Sequence, residues 1–489
     1  MAGGRALLLA SALALGGCIT STSAPQLTGL PALPSLPEVP GLPIVQDHDH
    51  ADPALHQAHF ATELVAAASG YDGPAPEGVF FGELDVKDGF AYVCRGGGRA
   101  GVGPLFETFG GFVILDVHAP AAPVPLGQMP GVGCADIKVN DAGDLVFYGT
   151  QRNPVHEPVT NQASPLEKVP RSIFLVNVAD KAHPRLERAI PMPVNGVHTL
   201  HYVNLDGREL LLVQTYDWIP DGGLGLPVPS TGMNNPATQR SQIFEVIRGP
   251  DGDRDLRLLS VVTVPDVAPQ GTNYFPHDVT VQRHPLTGAW LAYYAYWDHG
   301  LVIYNIDQPD SPRLLSTFSD TSPSKEINIH QARPFPQLIA GRHVTVLEPE
   351  LQASDESGQF TLVDTTDPAA PQRLGAWELP GDIAIPGGFL FSPHNFNLAN
   401  GRIYLAHNHG GVWVVDAGSE ERLSNPVAVG FFQSVPSTGR ADCGDAGRYW
   451  SAFYVAGYVY STDSCAGLVI LEFEGDKGLG GPARVMPAG

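Results

Sequence analysis

Short runs of β-branched and aromatic residues recur along this chain, each giving way to Asp or Asn and then to a turn that usually ends in Pro. The clearest copies are FVILDVHAPAAP from Phe112, IFLVNVADKAHP from Ile173, LVIYNIDQPDSP from Leu301 and FTLVDTTDPAAP from Phe360. Weaker copies are IFEVIRGPDGD from Ile243, VWVVDAGSEERLSNP from Val412 and LVILEFEGD from Leu468, which makes seven at spacings of roughly 50 to 70 residues. Two further strand-like runs precede each copy, as in DVTVQRHPLTGAWLAYYAYWDHG before Leu301 and NFNLANGRIYLAHNHGG before Val412. A fourth run follows most copies, as in PRLLSTF and PQRLGAWEL. Four short strands per unit, joined by Gly, Asp, Asn and Pro turns, predict one propeller blade. Seven units predict an all-β, seven-bladed β-propeller with four-stranded antiparallel blades around a central channel. Asp116, Asp364 and Asp416 are expected to close turns by accepting from nearby backbone amides.

The repeated strand resembles that of the LVIVD-repeat proteins, bacterial and archaeal surface propellers. The resemblance covers the chain from about Gly82 to Phe473. It implies architecture and says little of activity, because one propeller scaffold hosts many functions.

Ahead of the repeats, Arg5 is followed by an apolar run from Ala6 to Leu15 and then by Gly16-Gly17-Cys18. A stable span needs ~20 apolar residues, so the run predicts a secretory signal over residues 1–18. Its Leu-Gly-Gly-Cys ending resembles a bacterial lipobox, which implies lipidation of Cys18 as the mature N-terminus, with acyl chains anchoring the exported protein. Ile19 follows the cysteine in place of the Asp that signals inner-membrane retention, which favours the outer membrane or cell surface. Residues 19–60 form a tether: Pro31, Pro34, Pro37, Pro40 and Pro43 recur every third residue, suiting an extended polyproline II spacer. Within it, His48, His50, His56 and His59 form a tract of the kind that can scavenge metal. Residues 61–489 are then the propeller.

Acidic residues number 51 against 28 basic ones, for a net charge of −23, which argues against nucleic acid or anionic lipid as a partner. A metal ion, a cationic ligand or another protein suits that charge better. The chain is expected to act as a monomer. It lacks a Gly-x-Ser-x-Gly elbow, a His-Glu-x-x-His pair, a phosphate loop and EF-hand spacing, so a serine hydrolase, zincin protease or nucleotidase has no support.

Candidate chemistry comes from aligning the seven predicted inner-strand starts: FGELDV, CADIKV, VHTLHYV, PHDVTV, IHQARPF, PHNFNL and WSAFYV. Four consecutive blades place histidine at one position, His198, His277, His330 and His394, while the others carry Gly82, Ala135 and Ser451. Inner strands begin at the channel rim, so the imidazoles are expected to converge on the axis as nitrogen ligands for Fe, Cu, Mn or Zn, with the small residues leaving the site open. Loops between second and third strands open on the same face and carry Asp298 and His299, His407 and His409, Glu348 and Glu350, and Asp217 with Trp218. The carboxylates there either accept the second N–H of a ligating imidazole or are solvated rim charges. The histidine count is similar to that of the carotenoid oxygenases, whose iron is held by four histidines of a seven-bladed propeller. The fourth blade, with its Trp-x-His-Gly turn and DP-like close, looks like those of the methanethiol oxidase or selenium-binding family. These likenesses imply a metal site without naming a reaction. Two readings follow: a metalloprotein, an oxidase or oxygenase acting at the axis, or a non-enzymatic surface module binding protein or glycan through its face loops.

Besides Cys18 there are four cysteines in what the leader predicts to be an oxidising compartment. Cys94 ends a second strand and Cys134 opens the next blade, while Cys443 and Cys465 flank the last inner hairpin, so bridges Cys94–Cys134 and Cys443–Cys465 are expected. Three connectivities exist in principle.

Overall fold

The recurrent apolar runs become the third strands of seven antiparallel sheets. A computed structural model describes residues 59–477, except 72, 98–109, 132, 151–171, 193–195, 216–239, 263–274, 298, 320–328, 351–358, 379–391 and 434–446. The predicted signal, Cys18 and the Pro-rich stretch lie outside the described residues. First strands, numbering blades 1 to 7, are Val79–Lys87, Asp136–Val139, Thr199–Leu205, Pro276–Arg283, Ile329–Pro334, Phe396–Ala399 and Tyr449–Val455. Each touches the first strands of the blades on either side, and that of blade 7 touches that of blade 1, so they form a closed ring around the channel.

The third strands are apolar throughout because each blade is packed on both faces. Ile303 and Val302 of blade 4, for example, are both fully buried, one against blade 5 and the other against blade 3. The apolar core is accordingly divided into seven clusters, each lying between two adjacent blades. The largest includes Trp377 of blade 5 and Trp413 of blade 6, with ring centroids 5.8 Å apart. Because apolar side chains are consumed between blades, the axis is left to the polar residues of the first strands. Turn residues behave as their types dictate. Asp116 accepts from His118 N at 3.0 Å, Asp364 from Thr366 N at 2.9 Å and Asp416 from Gly418 N at 3.0 Å.

The last blade is closed from the front of the chain. Thr62–Ala68 is its outer strand, running antiparallel to Gly467–Phe473 with Thr62 opposite Phe473 and Ala68 opposite Leu468. Just before it, His59–Phe60 pairs with Phe431 and Phe432 as a fifth strand on blade 6. Among the described residues propeller pairing thus starts at His59, two residues ahead of the boundary expected from sequence, and His59 belongs to a blade edge. Thr62–Ala68 lacks the Asp-turn-Pro signature because it is an outer strand, and among the described residues the seventh copy of the repeat has no fourth strand after it.

Candidate functional site

In the pairing of the first two strands of blades 4, 5 and 7 the register slips by one residue at the same place. Pro276 and Asp278 oppose Tyr296 and Ala295, Ile329 and Gln331 oppose Pro349 and Glu348, and Tyr449 and Ser451 oppose Asp463 and Thr462. The residues left out of the ladder are His277, His330 and Trp450. Such a bulge re-aims a side chain that regular pairing would place on a sheet face. It also corrects the sequence alignment in blade 7, where Trp450, not the small Ser451, is the counterpart of the histidines.

The four histidines form a continuous row. Ring centroids are 4.2 Å apart for His198 and His277, 4.2 Å for His277 and His330, and 4.4 Å for His330 and His394, and Trp450 extends the row 4.1 Å beyond His394. His277, His330 and His394 are buried, whereas His198 is partly exposed. Each buried imidazole leans on the backbone of the next blade. His277 Nδ1 lies 2.9 Å from His330 O and His394 Nδ1 lies 2.7 Å from Trp450 O. A carbonyl only accepts, so both Nδ1 atoms carry the hydrogen, and each Nε2 keeps its lone pair. His330 Nδ1 lies 3.2 Å from Glu348 Oε2. On the other side of His277, its Nε2 is 2.7 Å from His198 Nε2. Burial keeps His198 and His394 down at about 3 and places His277 and His330 well below the usual imidazole range, so the row is neutral at pH 7. Neutral imidazole is the form that ligates metals.

Two carboxyl groups reach the row from the end of the second strand of blade 5. Glu350 joins His277 and His330 in a group whose ligand atoms all lie within 4.8 Å of one another. Its Oε2 is 3.9 Å from His330 Nε2. Glu348 is fully buried, and its Oε1 has no hydrogen-bond partner among the described residues. Burial raises both groups, Glu350 to about 7 against the pull of Arg448, and Glu348 well above the usual range.

Below the row the channel is filled by a polar plug that sequence reading passed over. The residue after each bulge position is Glu83, Asp136, Thr199, Asp278, Gln331, Asn395 or Ser451, and several of these side chains lace adjacent blades together. Asp136 accepts from Leu200 N at 2.6 Å and Gln331 from Phe396 N at 3.0 Å. Thr199 Oγ1 donates to His277 O at 2.6 Å, and Ser451 Oγ donates to Glu83 at 2.7 Å. Two residues further on, Asp85 accepts from Val139 N, His201 from Val281 N and Asn397 from Tyr454 N in the same fashion. Lys138 and Arg333 sit among the buried acids Glu83, Asp85, Asp136 and Asp278. Burial, with Asp136 next, drives Glu83 up to about 8 and Asp278 to about 6. The common polar character of this position is visible in the aligned strand starts.

The remaining predicted rim residues are distributed as follows. His299 is partly buried in the turn after Trp297, where its backbone N–H donates to Tyr296 O at 3.1 Å. His407 is buried in a tight turn in which Gly410 N donates to its carbonyl at 2.6 Å. The same turn brings Asn408, a residue sequence reading did not single out, to the edge of the site, and His409 lies beside it, half-buried. Asp298, Asp217, Trp218 and the His48, His50 and His56 tract fall outside the described residues. Cys94 and Cys134 form a disulfide with Cα atoms 5.3 Å apart, tying blade 1 to the start of blade 2. Cys465 is also disulfide-bonded, while Cys443 falls outside the described residues.

No family model matches the chain, and no curated protein does. Among solved structures it is similar to the WD40 β-propeller domain of Doa1, at 11% identity and a TM-score of 0.46 over 84% of this chain and 96% of that one. It is also similar to Raptor from Chaetomium thermophilum, at 10% identity and a TM-score of 0.48, covering 84% of this chain and 28% of that one.

Proposed function

We propose that this chain is an exported, lipid-anchored propeller of the LVIVD-repeat type that holds one transition-metal ion on its axis. His277, His330 and Glu350 are the core ligands in this reading, with His198 and His394 as further nitrogen donors at either end. The observation that carries it is the convergence of those three ligand atoms within 4.8 Å. Acceptor-only partners on His277 and His394 support it, because a backbone carbonyl on one ring nitrogen turns the other into a lone-pair donor. The unpaired oxygen of Glu348 points the same way, since a cation bound nearby would offset the cost of burying a carboxylate there. The location rests on the leader, the Cys18 motif and the Pro-rich tether. Two imidazoles and a carboxylate form the core set that suits iron, as in non-haem iron oxygenases, so an oxidase or oxygenase reaction is the activity we assign. The chain's part in it is to hold the ligands, fix their tautomers and confine access to one end of a plugged channel.

Titration of chelator-stripped protein with Co²⁺ tests this. One equivalent should bind with visible absorption bands, and His277→Ala or His330→Ala should weaken binding by about a hundredfold or more, while Glu348→Gln, an outer partner, should cost about 10- to 100-fold. Equal binding by wild type and both histidine variants would overturn the assignment.

A further inference from the structure

We infer that Arg448 is the anion anchor of this site and holds the carboxylate of a small ligand at the Trp450 end of the histidine row. The placement of that ligand beside the metal rests on the function proposed above; the anchoring itself does not.

Among the described residues Arg448 is held by four hydrogen bonds. Its backbone N–H donates to Asp463 Oδ2 at 2.8 Å, and its carbonyl accepts from the N–H and the hydroxyl of Ser464, each at 2.9 Å. Its Nε donates to Asn408 Oδ1 at 3.2 Å, and Asn408 is itself buried and pinned by donating to Ser392 O at 2.9 Å. The guanidinium carbon lies 4.9 Å from the centre of the Trp450 ring, which in turn lies 4.1 Å from His394. One indole therefore separates the cation from the end of the histidine row.

Among the described residues the two Nη groups of the guanidinium make no hydrogen bond, and no carboxylate lies within ion-pairing distance of it. Glu350, the acid whose charge it feels most, is turned to His277 and His330 instead. Burial penalises the charge on Arg448, with Glu350 and Asp463 only partly compensating. A half-buried cation with four N–H groups in a rigid planar fork matches a carboxylate in both charge and shape. In a chain of net charge −23, this local cation is what would draw an anion to the site.

Acetate is the probe, titrated as the sodium salt into metal-free protein in exchange for sodium chloride at constant ionic strength, with tryptophan fluorescence as readout. Wild type should show a saturable change, acetamide should not produce it, and Arg448→Met should raise the half-saturation concentration by about tenfold or more. Arg448→Met should retain the circular dichroism spectrum of the wild type. In the Co²⁺-loaded protein, acetate should shift the cobalt bands at the same half-saturation concentration. An unchanged response of Arg448→Met to acetate, or an equal response of the wild type to acetamide, would overturn the anchor. Failure to bind Co²⁺ would instead remove the metal centre, with the fluorescence comparison still deciding on Arg448.

Discussion

A chain that begins at Ser69, without the strands His59–Phe60 and Thr62–Ala68, is expected to lose cooperative unfolding near ambient temperature. The missing segment supplies the whole outer strand of blade 7, and its removal leaves the backbone of Gly467–Phe473 unpaired along one edge. Val65, Ala66 and Ala68 also pack on the cluster between blades 1 and 7, which contains the fully buried Leu468 and Ile470. About six ladder pairs at ~1 kcal/mol each, with the apolar contacts added, rival the 5–15 kcal/mol that typically separates folded from unfolded states. An exposed apolar strand edge also invites association between chains. Thermal unfolding followed by circular dichroism, with and without a peptide covering residues 59–68, checks this. The truncated chain should melt over a broad, lowered range, and the peptide should sharpen and raise it. A truncated chain that melts as sharply as the full one, within a few degrees, would show that the ring closes without this strand.

The metal-free protein should be most stable between about pH 6 and 7, falling away on both sides. On the acid side the main groups outside the proposed ligand set are His201 and His343. Burial holds each at about 3, against an ordinary value of 6.5. The unfolded chain therefore takes up protons that the fold refuses, and the stability these rings contribute is complete above pH 6.5 and lost as pH falls toward 3. A depression of this size corresponds to ~3–5 kcal/mol per ring at the acid limit. For His201 burial is reinforced by the nearby charges of Arg333 and Lys138, and its Nε2 accepts from Val281 N at 3.0 Å across blades 3 and 4.

On the alkaline side the sign reverses. Glu83 at about 8 and Glu350 at about 7 are raised above their ordinary 4.5, chiefly by burial. The fold prefers them protonated, so their contribution is complete below pH 4.5 and lost as pH rises through 7 to 8. Between pH 4.5 and 6.5 the two effects oppose one another, and the histidines, including the four of the row, outnumber the raised acids. Guanidinium unfolding at pH 4.5, 6.5 and 9 should give the greatest stability at 6.5, and His201→Gln should flatten the acid limb. Stability that climbed steadily to pH 9 would contradict this balance.

The architecture was legible because the third strand of each blade is buried between two neighbours and so keeps the same apolar pattern from Phe112 to Leu468. The histidine positions were legible for a related reason, since each blade presents one residue at the channel rim and four successive blades place His there. What escaped was local geometry. A one-residue bulge is invisible in an alignment of strand starts, so Ser451 was set where Trp450 stands. The closing strand Thr62–Ala68 carries no turn signature and is far in sequence from its partner Gly467–Phe473. Arg448 and Asn408 come from connections, not repeats, and no periodicity marks them. The polar plug was in view as Glu83, Asp136, Asp278 and Gln331, each following a bulge position, but its role in lacing blades becomes apparent only when the neighbouring backbone amides are placed.

X-ray absorption at the edge of a stoichiometrically bound metal tests the proposed centre most directly, because it counts the donor atoms themselves. With Zn²⁺ loaded, the fine structure should show two or more imidazole nitrogens at ~2.0–2.1 Å together with at least one oxygen in the same shell and no sulfur. A shell of oxygen alone, or one containing sulfur, would place the metal elsewhere and contradict a centre built on His277, His330 and Glu350.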